Sequence, residues 1–249
     1  MRQSLIEEVG GGRPQVVVPI VGAGREDILQ QAHAARESAA DIVEWRIDFF
    51  DNWRDIDACC ALAGEIAETI GKPLLGTFRS AREGGEREIS ADDYSALLQA
   101  LAGSGAFWAL DVEAFFTGLS VGDLISTIHD KGCGVIASNH DFNETPPVTE
   151  ICARLSFMEK LDADVAKCAY MPQDMTDVAR LLEATAFASQ SLEIPVITMS
   201  MGDEGTISRI VGSLFGSAAT FASLETASAP GQIPLEDMTE ILSLLHKLV

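Results

Sequence analysis

The sequence predicts a single-domain α/β protein with the (β/α)8 architecture of a TIM barrel. Eight short apolar segments alternate with eight amphipathic stretches of helical periodicity. Such alternation indicates a parallel sheet covered by helices, and eight units in 249 residues is what a closed barrel requires. The predicted strands are Val16–Val21, Ile42–Asp48, Pro73–Arg79, Phe107–Glu113, Gly134–His140, Asp164–Tyr170, Pro195–Ser200 and Ala218–Leu224.

A doubly wound open sheet is the alternative fold for this alternation. The turn after the first predicted strand, at residues 21–25, lacks the third glycine of a dinucleotide-binding fingerprint. Helix signals fit the barrel, since Ser90 can cap the helix that follows it and Pro234 lies near the start of the last helix. We therefore predict one (β/α)8 barrel domain over residues 1–249, in which residues 1–14 either fray or cap the barrel floor.

Charge and composition exclude several classes of function. The net charge is −21, which disfavours contact with nucleic-acid phosphates or anionic lipid. The apolar runs are shorter than the roughly 20 residues that a membrane span requires, and the N-terminal residues contain no stretch suited to a signal peptide. Five cysteines without CxxC spacing indicate neither a disulfide framework nor a zinc site. We therefore expect a cytoplasmic protein without nucleic-acid, membrane or metal partners.

The second predicted strand separates a polar face from an apolar one. Glu44, Arg46 and Asp48 share one parity, and the residues between them are apolar. Because active sites of barrels lie at the C-terminal ends of the strands, this polar face is expected to line a site. An internal ion pair of Glu44 with Arg46 is the alternative, although burying such a pair rarely adds stability.

Charged residues also end the third and fourth predicted strands. Arg79 opens a charged, mobile loop that contains Glu83. Asp111 and Glu113 place two carboxylates on one face, next to the strand that ends in His140. A carboxylate there can fix the tautomer and orientation of an imidazole. Capping of the following helix is an equally good explanation of Glu113.

The fifth and sixth predicted strands carry the residues that favour carbonyl chemistry. His140 closes an apolar strand, where it is either a titratable base or a hydrogen-bonded core residue. Lys167 lies between Ala166 and Cys168 in another such strand. A buried lysine must be paired or neutralised because burial lowers the pKa of an amine. A structural ion pair is one solution, and a neutral amine that attacks a ketone to form a Schiff base is the other.

Two later segments supply candidate ligand-binding groups. Arg209 follows the seventh predicted strand and is expected beside the N-terminus of the next helix, a favourable place for a carboxylate or phosphate. The final loop, at 226–232, is rich in small residues, with Gly231 as its hinge. That composition suits a lid that presents Ser228 and Gln232 to a hydroxylated ligand, and it equally suits a plain connector.

Together these motifs resemble type I 3-dehydroquinate dehydratase, the Schiff-base-forming dehydroquinase of the shikimate pathway to chorismate and aromatic amino acids. The resemblance runs from about Val16 to the end of the chain. Each motif alone is weak, but their order and their positions on the strands make the match specific. The motifs are Glu44-Trp45-Arg46-Ile47-Asp48, Thr77-Phe78-Arg79-Ser80, Ser138-Asn139-His140-Asp141, Lys167 followed by Met171-Pro172, Ile207-Ser208-Arg209, and Ser228-Ala229-Pro230-Gly231-Gln232.

The resemblance implies a role for each candidate residue. Lys167 would form an imine with the C3 ketone of 3-dehydroquinate, and His140 would remove the C2 proton and then protonate the departing C1 hydroxyl. The family is a hydro-lyase that usually forms homodimers and requires no metal or organic cofactor. Glu44 and Arg46 would hold ring hydroxyls and orient His140. The other substrate-binding residues would be Arg79, Arg209, Ser228 and Gln232, with Asp111 and Glu83 in support.

Two features depart from the family pattern, and two rival functions stay open. Ala114 stands where the family generally has a larger aliphatic residue, and residues 201–205 are more acidic than expected beside an anion site. An aldolase or transaldolase barrel would share Lys167 but has no need of Ser-Asn-His-Asp on the fifth strand. A non-catalytic binding barrel would keep the pocket without turnover.

Overall fold

Parallel strands alternate with helices along the whole described chain. The computed structural model describes Val9, residues 13–224 and residues 229–247. The first eight strands are β1 (Gln15–Ile20), β2 (Ile42–Arg46), β3 (Leu74–Thr77), β4 (Ala109–Glu113), β5 (Gly134–Asp141), β6 (Val165–Tyr170), β7 (Val196–Ser200) and β8 (Ala219–Ser223). The helices that follow them in turn are α1 (Arg25–Glu37), α2 (Ile56–Ile70), α3 (Ala91–Gly103), α4 (Val121–Asp130), α5 (Val148–Lys160), α6 (Met175–Ser191), α7 (Gly202–Val211) and α8 (Leu235–His246).

The strands pair in chain order around a barrel. Each strand from β1 to β6 pairs in parallel with the next, and β1 also pairs in parallel with β8. The barrel closes where Val196 O accepts a hydrogen bond from Ala218 N at 2.8 Å, beside an isolated bridge between Val196 and Ser217. A short strand, β9 (Ile233–Pro234), lies next to β8. The predicted TIM-type barrel is confirmed, and the open doubly wound sheet is excluded.

Strand residues alternate between two apolar layers. Val43 and Trp45 of β2 belong to the layer between strands and helices, whereas Leu75 and Ile136 belong to the cluster inside the barrel. Val9 is also part of the inner cluster. The predicted cap formed by residues 1–14 falls largely outside the described residues and stays a prediction.

Capping side chains determine where some helices begin. Ser90 Oγ accepts a hydrogen bond from Asp93 N at 3.1 Å, as predicted, and Asp174 accepts from the backbone of Thr176 at 2.8 Å. These acceptors satisfy N–H groups that have no partner within the helix. Among the helices in the described ranges, none is long and apolar enough to cross a membrane.

The start of α7 differs from the prediction. The helix begins at Gly202, so that Asp203 and Glu204 form its first turn and Arg209 lies in its last turn. The prediction that Arg209 lies beside a helix N-terminus is therefore wrong. The physical reason is that acidic residues after a glycine favour a helix start, because they complement the positive end of the helix dipole.

Candidate active site

A cavity opens at the C-terminal ends of the barrel strands, where the sequence predicts a site. Ser228 lies outside the described residues, so its predicted role is not placed. In the part of the chain that the structure describes, no group of three or more His, Cys, Asp or Glu side chains is arranged to hold a metal ion. The cavity brings together most of the predicted residues: Glu44, Arg46, Arg79, Glu83, His140, Lys167, Arg209 and Gln232.

The polar face of β2 reaches the cavity wall as predicted. Glu44 accepts a hydrogen bond from Thr77 Oγ1 at 2.8 Å. Arg46 donates through two nitrogens to Asp48, at 2.9 and 2.7 Å, and its guanidinium lies 4.9 Å from the ring centroid of Phe49. Asp48, in the short 3-10 helix after β2, therefore forms the bidentate pair with Arg46 and fixes its position.

Arg79 lies at the centre of a buried network of carboxylates. Its Nη2 donates to Asp111 Oδ1 at 2.7 Å, and its Nη1 donates to Glu113 Oε1 at 3.2 Å, to Ser138 Oγ at 3.0 Å and to Glu83 Oε2 at 3.4 Å. Burial alone would lower the pKa of this arginine, but the three carboxylates raise it above its ordinary value. The guanidinium is thus bound mainly by the protein itself, and its contact with substrate stays a prediction.

The segment after β3 is a turn that buries the side chains of Ser80 and Glu83. A 3-10 helix at Ala81–Glu83 follows Ser80, which donates to Glu113 from its backbone N at 2.8 Å and from its Oγ at 2.7 Å. A Cβ at Gly85 would lie 1.9 Å from a backbone oxygen, so only glycine fits this close approach. This packing carries Glu83 to the end of β5.

Glu83 is the carboxylate that contacts the imidazole of His140. Its Oε2 accepts a hydrogen bond from His140 N at 2.9 Å and lies 2.9 Å from Nδ1 of the same residue. Its Oε1 accepts from Asn139 Nδ2 at 3.2 Å. The expectation that Asp111 or Glu113 orients the imidazole is therefore wrong, because the carboxylate within hydrogen-bond distance of Nδ1 is that of Glu83. With Nδ1 held by a carboxylate, Nε2 is the ring nitrogen available for reaction.

Burial gives Glu83 and His140 unusual proton affinities. Burial, and then the charges of Arg79 and Lys167, lower the pKa of His140 well below its ordinary value. The imidazole is therefore neutral at pH 7 and can act as a general base. Burial raises the pKa of Glu83 to about 8, although Arg79 opposes the shift. The two groups share a hydrogen bond and titrate as a pair.

Lys167 is paired on one side and faces the cavity on the other. Its Nζ donates to Asp111 Oδ2 at 3.0 Å and lies 4.6 Å from the ring centroid of Phe221. Burial of Asp111 would raise the pKa of that carboxyl, but Arg79 and Lys167 together hold it below its ordinary range. The ionised carboxylate lies where a protonated imine on Lys167 would carry its positive charge. The predicted ion pair and the predicted imine are thus compatible in one geometry.

Arg209 is a buried guanidinium with no carboxylate partner among the described residues. Its Nη1 lies 3.5 Å from Met199 Sδ, and its Nη2 donates to Pro230 O at 3.1 Å. Its Nε has no hydrogen-bond partner within the described ranges. Burial lowers the pKa of Arg209 to about 10, so the group is still charged at neutral pH. A buried cation with unused donors favours an anionic ligand group at this wall of the cavity.

The described end of the final loop is docked on α7. Pro230 O also accepts a hydrogen bond from Gly202 N at 3.3 Å, and Thr206 Oγ1 donates to Gly231 O at 3.4 Å. Gly231 has a φ of +77°, and a Cβ there would lie 2.2 Å from Gly202 O. The position therefore requires glycine. This docking places Gln232 at the cavity, as the lid prediction requires.

Comparison with known proteins decides the family. Residues 16–249 match the family model of type I 3-dehydroquinase. The chain belongs to the type I 3-dehydroquinase family. A 3-dehydroquinate dehydratase of Enterococcus faecalis is 44% identical over 236 residues, which cover 94% of this chain and 93% of that protein. The predicted family, an enzyme family of hydro-lyases, is confirmed.

Solved structures of this family share the fold. A type I 3-dehydroquinate dehydratase from Clostridium difficile, solved with covalently modified comenic acid, is 43% identical with a TM-score of 0.93 and covers 96% of this chain and 95% of its own. A 3-dehydroquinate dehydratase from Geobacillus kaustophilus is 37% identical with a TM-score of 0.93, covering 96% and 93% of the two chains.

The two departures from the family pattern have simple structural settings. Ala114 is buried in the cluster that includes residues of α5 and β6, so its small size is a matter of packing. Asp203 and Glu204 are exposed in the first turn of α7, whereas Arg209 is buried. The two acidic side chains are therefore solvated and do not neutralise the charge of Arg209.

Some residues that contact the site have no role in the sequence prediction. Ser138 shares the parity of His140, so the parity rule could have included it, and Asp48 was placed on the polar face but without its partner Arg46. Phe221 has the same kind of signal on β8, since it faces Lys167 across the barrel interior. Asn139 has the opposite parity from His140, so it was named only as part of the motif Ser138-Asn139-His140-Asp141 and was given no role.

Proposed function

We propose that the protein eliminates water from 3-dehydroquinate in a syn reaction to give 3-dehydroshikimate, through a Schiff base on Lys167, in the shikimate pathway to chorismate and aromatic amino acids. One observation carries the proposal. A neutral imidazole, a buried amine and a buried guanidinium without a carboxylate partner in the described chain line one cavity, as His140, Lys167 and Arg209. They match the three features of this substrate that react or bind, which are an acidic α-proton, a ketone and a carboxylate.

The first chemical step is formation of the imine. The amine of Lys167, once its ammonium has lost a proton, attacks the C3 ketone, and water leaves as the carbon–nitrogen double bond forms. The protonated imine withdraws electrons from C2 more strongly than the ketone does. Asp111, 3.0 Å from Nζ and ionised, stabilises that positive charge. The covalently modified ligand of the Clostridium difficile relative supports a nucleophile at the site of that protein.

The second step is proton transfer at C2. Nε2 of His140 takes the proton, and the electron pair moves into a C2–C3 double bond to give an enamine. The imidazolium then returns a proton to the C1 hydroxyl, which leaves as water while the enamine electrons form the C1–C2 double bond and restore the protonated imine. Hydrolysis of that imine releases the product and Lys167. Glu83 holds Nδ1 of the imidazole throughout.

Substrate binding completes the proposal. Arg209 binds the carboxylate, because its donors lack a carboxylate partner elsewhere in the described chain, and Glu44 and Arg46 hold ring hydroxyls. Arg79 lines the same cavity, and Ser228 and Gln232 close over the substrate. A homodimer, a cytoplasmic location and independence from metal or organic cofactors belong to the same proposal and are supported by the family resemblance.

Borohydride trapping tests the proposed function. The protein is reduced in the presence of 3-dehydroquinate, and the adduct is located by intact mass and peptide mapping. We expect one adduct, on the peptide that contains Lys167, and loss of both the adduct and turnover in Lys167→Ala. We expect His140→Ala to form the adduct but to turn over far more slowly. The exposed Lys160 provides the matched control, since Lys160→Ala should keep both properties.

Two results would contradict this assignment. An adduct on a different lysine, or wild-type turnover in Lys167→Ala, would remove the proposed nucleophile. An adduct with a sugar phosphate but none with 3-dehydroquinate would favour an aldolase or transaldolase, for which Lys167 on the sixth strand is equally suitable.

A further inference from the structure

Asn139 contacts the active site from the outer face of the barrel. On β5, Ser138 and His140 face the interior, so Asn139 faces the helices. Its side chain is nevertheless part of the site, because Nδ2 donates to Glu83 Oε1 at 3.2 Å. Asn139 is buried, which means that its amide must be satisfied by protein groups on both sides.

Arg154 of α5 determines which way this amide points. Its Nη1 donates to Asn139 Oδ1 at 2.8 Å, and the hydroxyl of Tyr170 donates to the same oxygen at 3.1 Å. A guanidinium only donates, so only the amide oxygen can face it. The amide nitrogen must then face Glu83. The reversed amide would place two donors together at Arg154 and two acceptors together at Glu83.

Arg154 is itself held by groups outside the proposed reaction. It forms an ion pair with Glu150, one turn earlier in α5. The carbon centre of its guanidinium lies 5.7 Å from the ring centroid of Tyr170 and 6.0 Å from that of Phe115. These contacts fix the guanidinium, so its hydrogen bond to Asn139 is a lasting feature of the packing.

We propose that Arg154 and Tyr170 lock Asn139 as a permanent hydrogen-bond donor to Glu83, which makes Arg154 a positioning residue for the Glu83–His140 pair. A donor that cannot turn away stabilises the ionised form of Glu83. An ionised Glu83 accepts Nδ1–H and leaves Nε2 of His140 free to take a proton. This inference rests on the proposed function, in which His140 is the base.

Other charged groups face the pair and contribute to its titration. Those that face Glu83 or His140 from the neighbouring strands and turns are Arg46, Arg79, Asp111, Glu113 and Lys167. They stay unchanged in the variants used for the test. A movement of the titration therefore reports Asn139, Arg154 and the charge that the substitution removes or adds.

The test compares Arg154→Met with Arg180→Met. Arg180 is a matched control because it lies on the next helix, α6, pairs with Asp177 on that helix, and donates to the loop oxygen of Thr145 at 3.0 Å. The measurement is kcat/KM for 3-dehydroquinate as a function of pH. The active pair has Glu83 ionised, so loss of the fixed donor raises the pKa of Glu83. In Arg154→Met, the ascending limb of the plot of kcat/KM against pH should therefore move to higher pH by about 0.5–1 unit. We expect Arg180→Met to leave the limb in place and KM to change less than about twofold in both variants.

Two further variants grade the effect. Asn139→Asp keeps an oxygen for Arg154 but removes the donor and adds a negative charge beside Glu83, so the limb should move further than in Arg154→Met. Arg154→Lys also presents only donors to the amide oxygen, and it should restore most of the wild-type limb. Should Arg154→Met fail to fold, the comparison of Asn139→Asp with wild type decides the question.

The outcomes separate a positioning role from a structural one. A lower kcat and a lower melting temperature with an unmoved limb in Arg154→Met and Asn139→Asp would overturn the inference. A ¹⁵N NMR titration of His140 in the ligand-free protein follows the same pair without turnover. If the wild-type protein does not turn over 3-dehydroquinate, the proposed function fails. The NMR shift between wild type and Arg154→Met then still decides whether Arg154 positions the pair.

Discussion

Two arginines on opposite sides of the barrel mouth are equally buried but have opposite electrostatic surroundings. Arg79 follows β3 and Arg209 follows β7, and their exposed fractions are 4% and 3%. Arg79 contacts three carboxylates, whereas Arg209 contacts a thioether sulfur and a carbonyl oxygen. Burying a charge is unfavourable in both places, and only at Arg79 do described residues of the protein offset it with opposite charge.

The proton affinities of the two side chains express the same difference. Carboxylates raise the pKa of Arg79 above its ordinary value against the effect of burial, whereas burial lowers the pKa of Arg209 to about 10. Burial alone therefore does not identify a ligand-binding cation. In a chain of net charge −21, the cation that lacks a carboxylate among the described residues is the one prepared for an anionic substrate.

Arg79→Met should produce the largest loss of stability, because it removes the arginine whose charge is balanced by carboxylates. The variant leaves Glu113 buried without its cation and Asp111 with Lys167 alone, so we expect the free energy of unfolding to fall by about 3–5 kcal/mol. Urea unfolding followed by circular dichroism measures this loss. Arg36→Met, at an exposed arginine of α1, is the control and should change stability by less than about 0.5 kcal/mol. A loss in Arg79→Met as small as that of the control would mean that the network does not offset the buried charges.

Arg209→Met should show the opposite pattern. Removing a buried cation that has no carboxylate among the described residues should leave the free energy of unfolding unchanged or raise it slightly. The loss should appear in binding, since a hydrogen bond between charged groups contributes about 1.5–3 kcal/mol, or about 10- to 150-fold in KM. Steady-state kinetics with 3-dehydroquinate measures it. A loss of stability equal to that of Arg79→Met would show that Arg209 is a structural residue.

The interior of the barrel was accessible to sequence reasoning because side chains alternate along a strand. That rule placed Glu44 and Arg46 on the cavity wall and His140 and Lys167 on neighbouring strands, and it needed no knowledge of tertiary contacts. Parity also placed Asp111 on the correct face. It could not say which cations Asp111 would meet, because those pairings join side chains from different strands.

The position of Glu83 and the course of α7 were beyond the same rule. Glu83 lies in a 3-10 helix whose placement depends on Ser80, Glu113 and the close approach at Gly85. These are tertiary contacts between distant segments, and no local periodicity encodes them. The start of α7 was missed for a different reason, since its glycine and acidic residues are compatible with both a loop and a first helical turn.

Glu83→Gln should change the pH dependence of kcat/KM, whereas Arg209→Met should not. Glu83 must be ionised to accept Nδ1–H, and burial raises its pKa to about 8, so wild-type kcat/KM should rise with pH through a limb in the neutral to weakly basic range. Glutamine does not titrate, so the limb then belongs to His140 alone, whose pKa is lowered. We expect the limb to move to lower pH by about 1 unit or more. Arg209→Met, on the other side of the cavity, should leave the limb where it is, and a limb unchanged in Glu83→Gln would contradict the assignment.

Binding without chemistry should give the smallest effect and should test Arg209 alone. Quinate has the carboxylate and ring hydroxyls of the substrate but no ketone, so it cannot form an imine with Lys167. At ten times its dissociation constant it should stabilise the wild-type protein by about 1.4 kcal/mol, seen as a rise in melting temperature. Lys167→Ala should keep this stabilisation, and Arg209→Met should lose it. Equal stabilisation of Arg209→Met and wild type by quinate would mean that the carboxylate binds at another cation, such as Arg46 or Arg79, whose charge the protein already balances. The difference between Arg79 and Arg209 would then not predict where the substrate carboxylate lies.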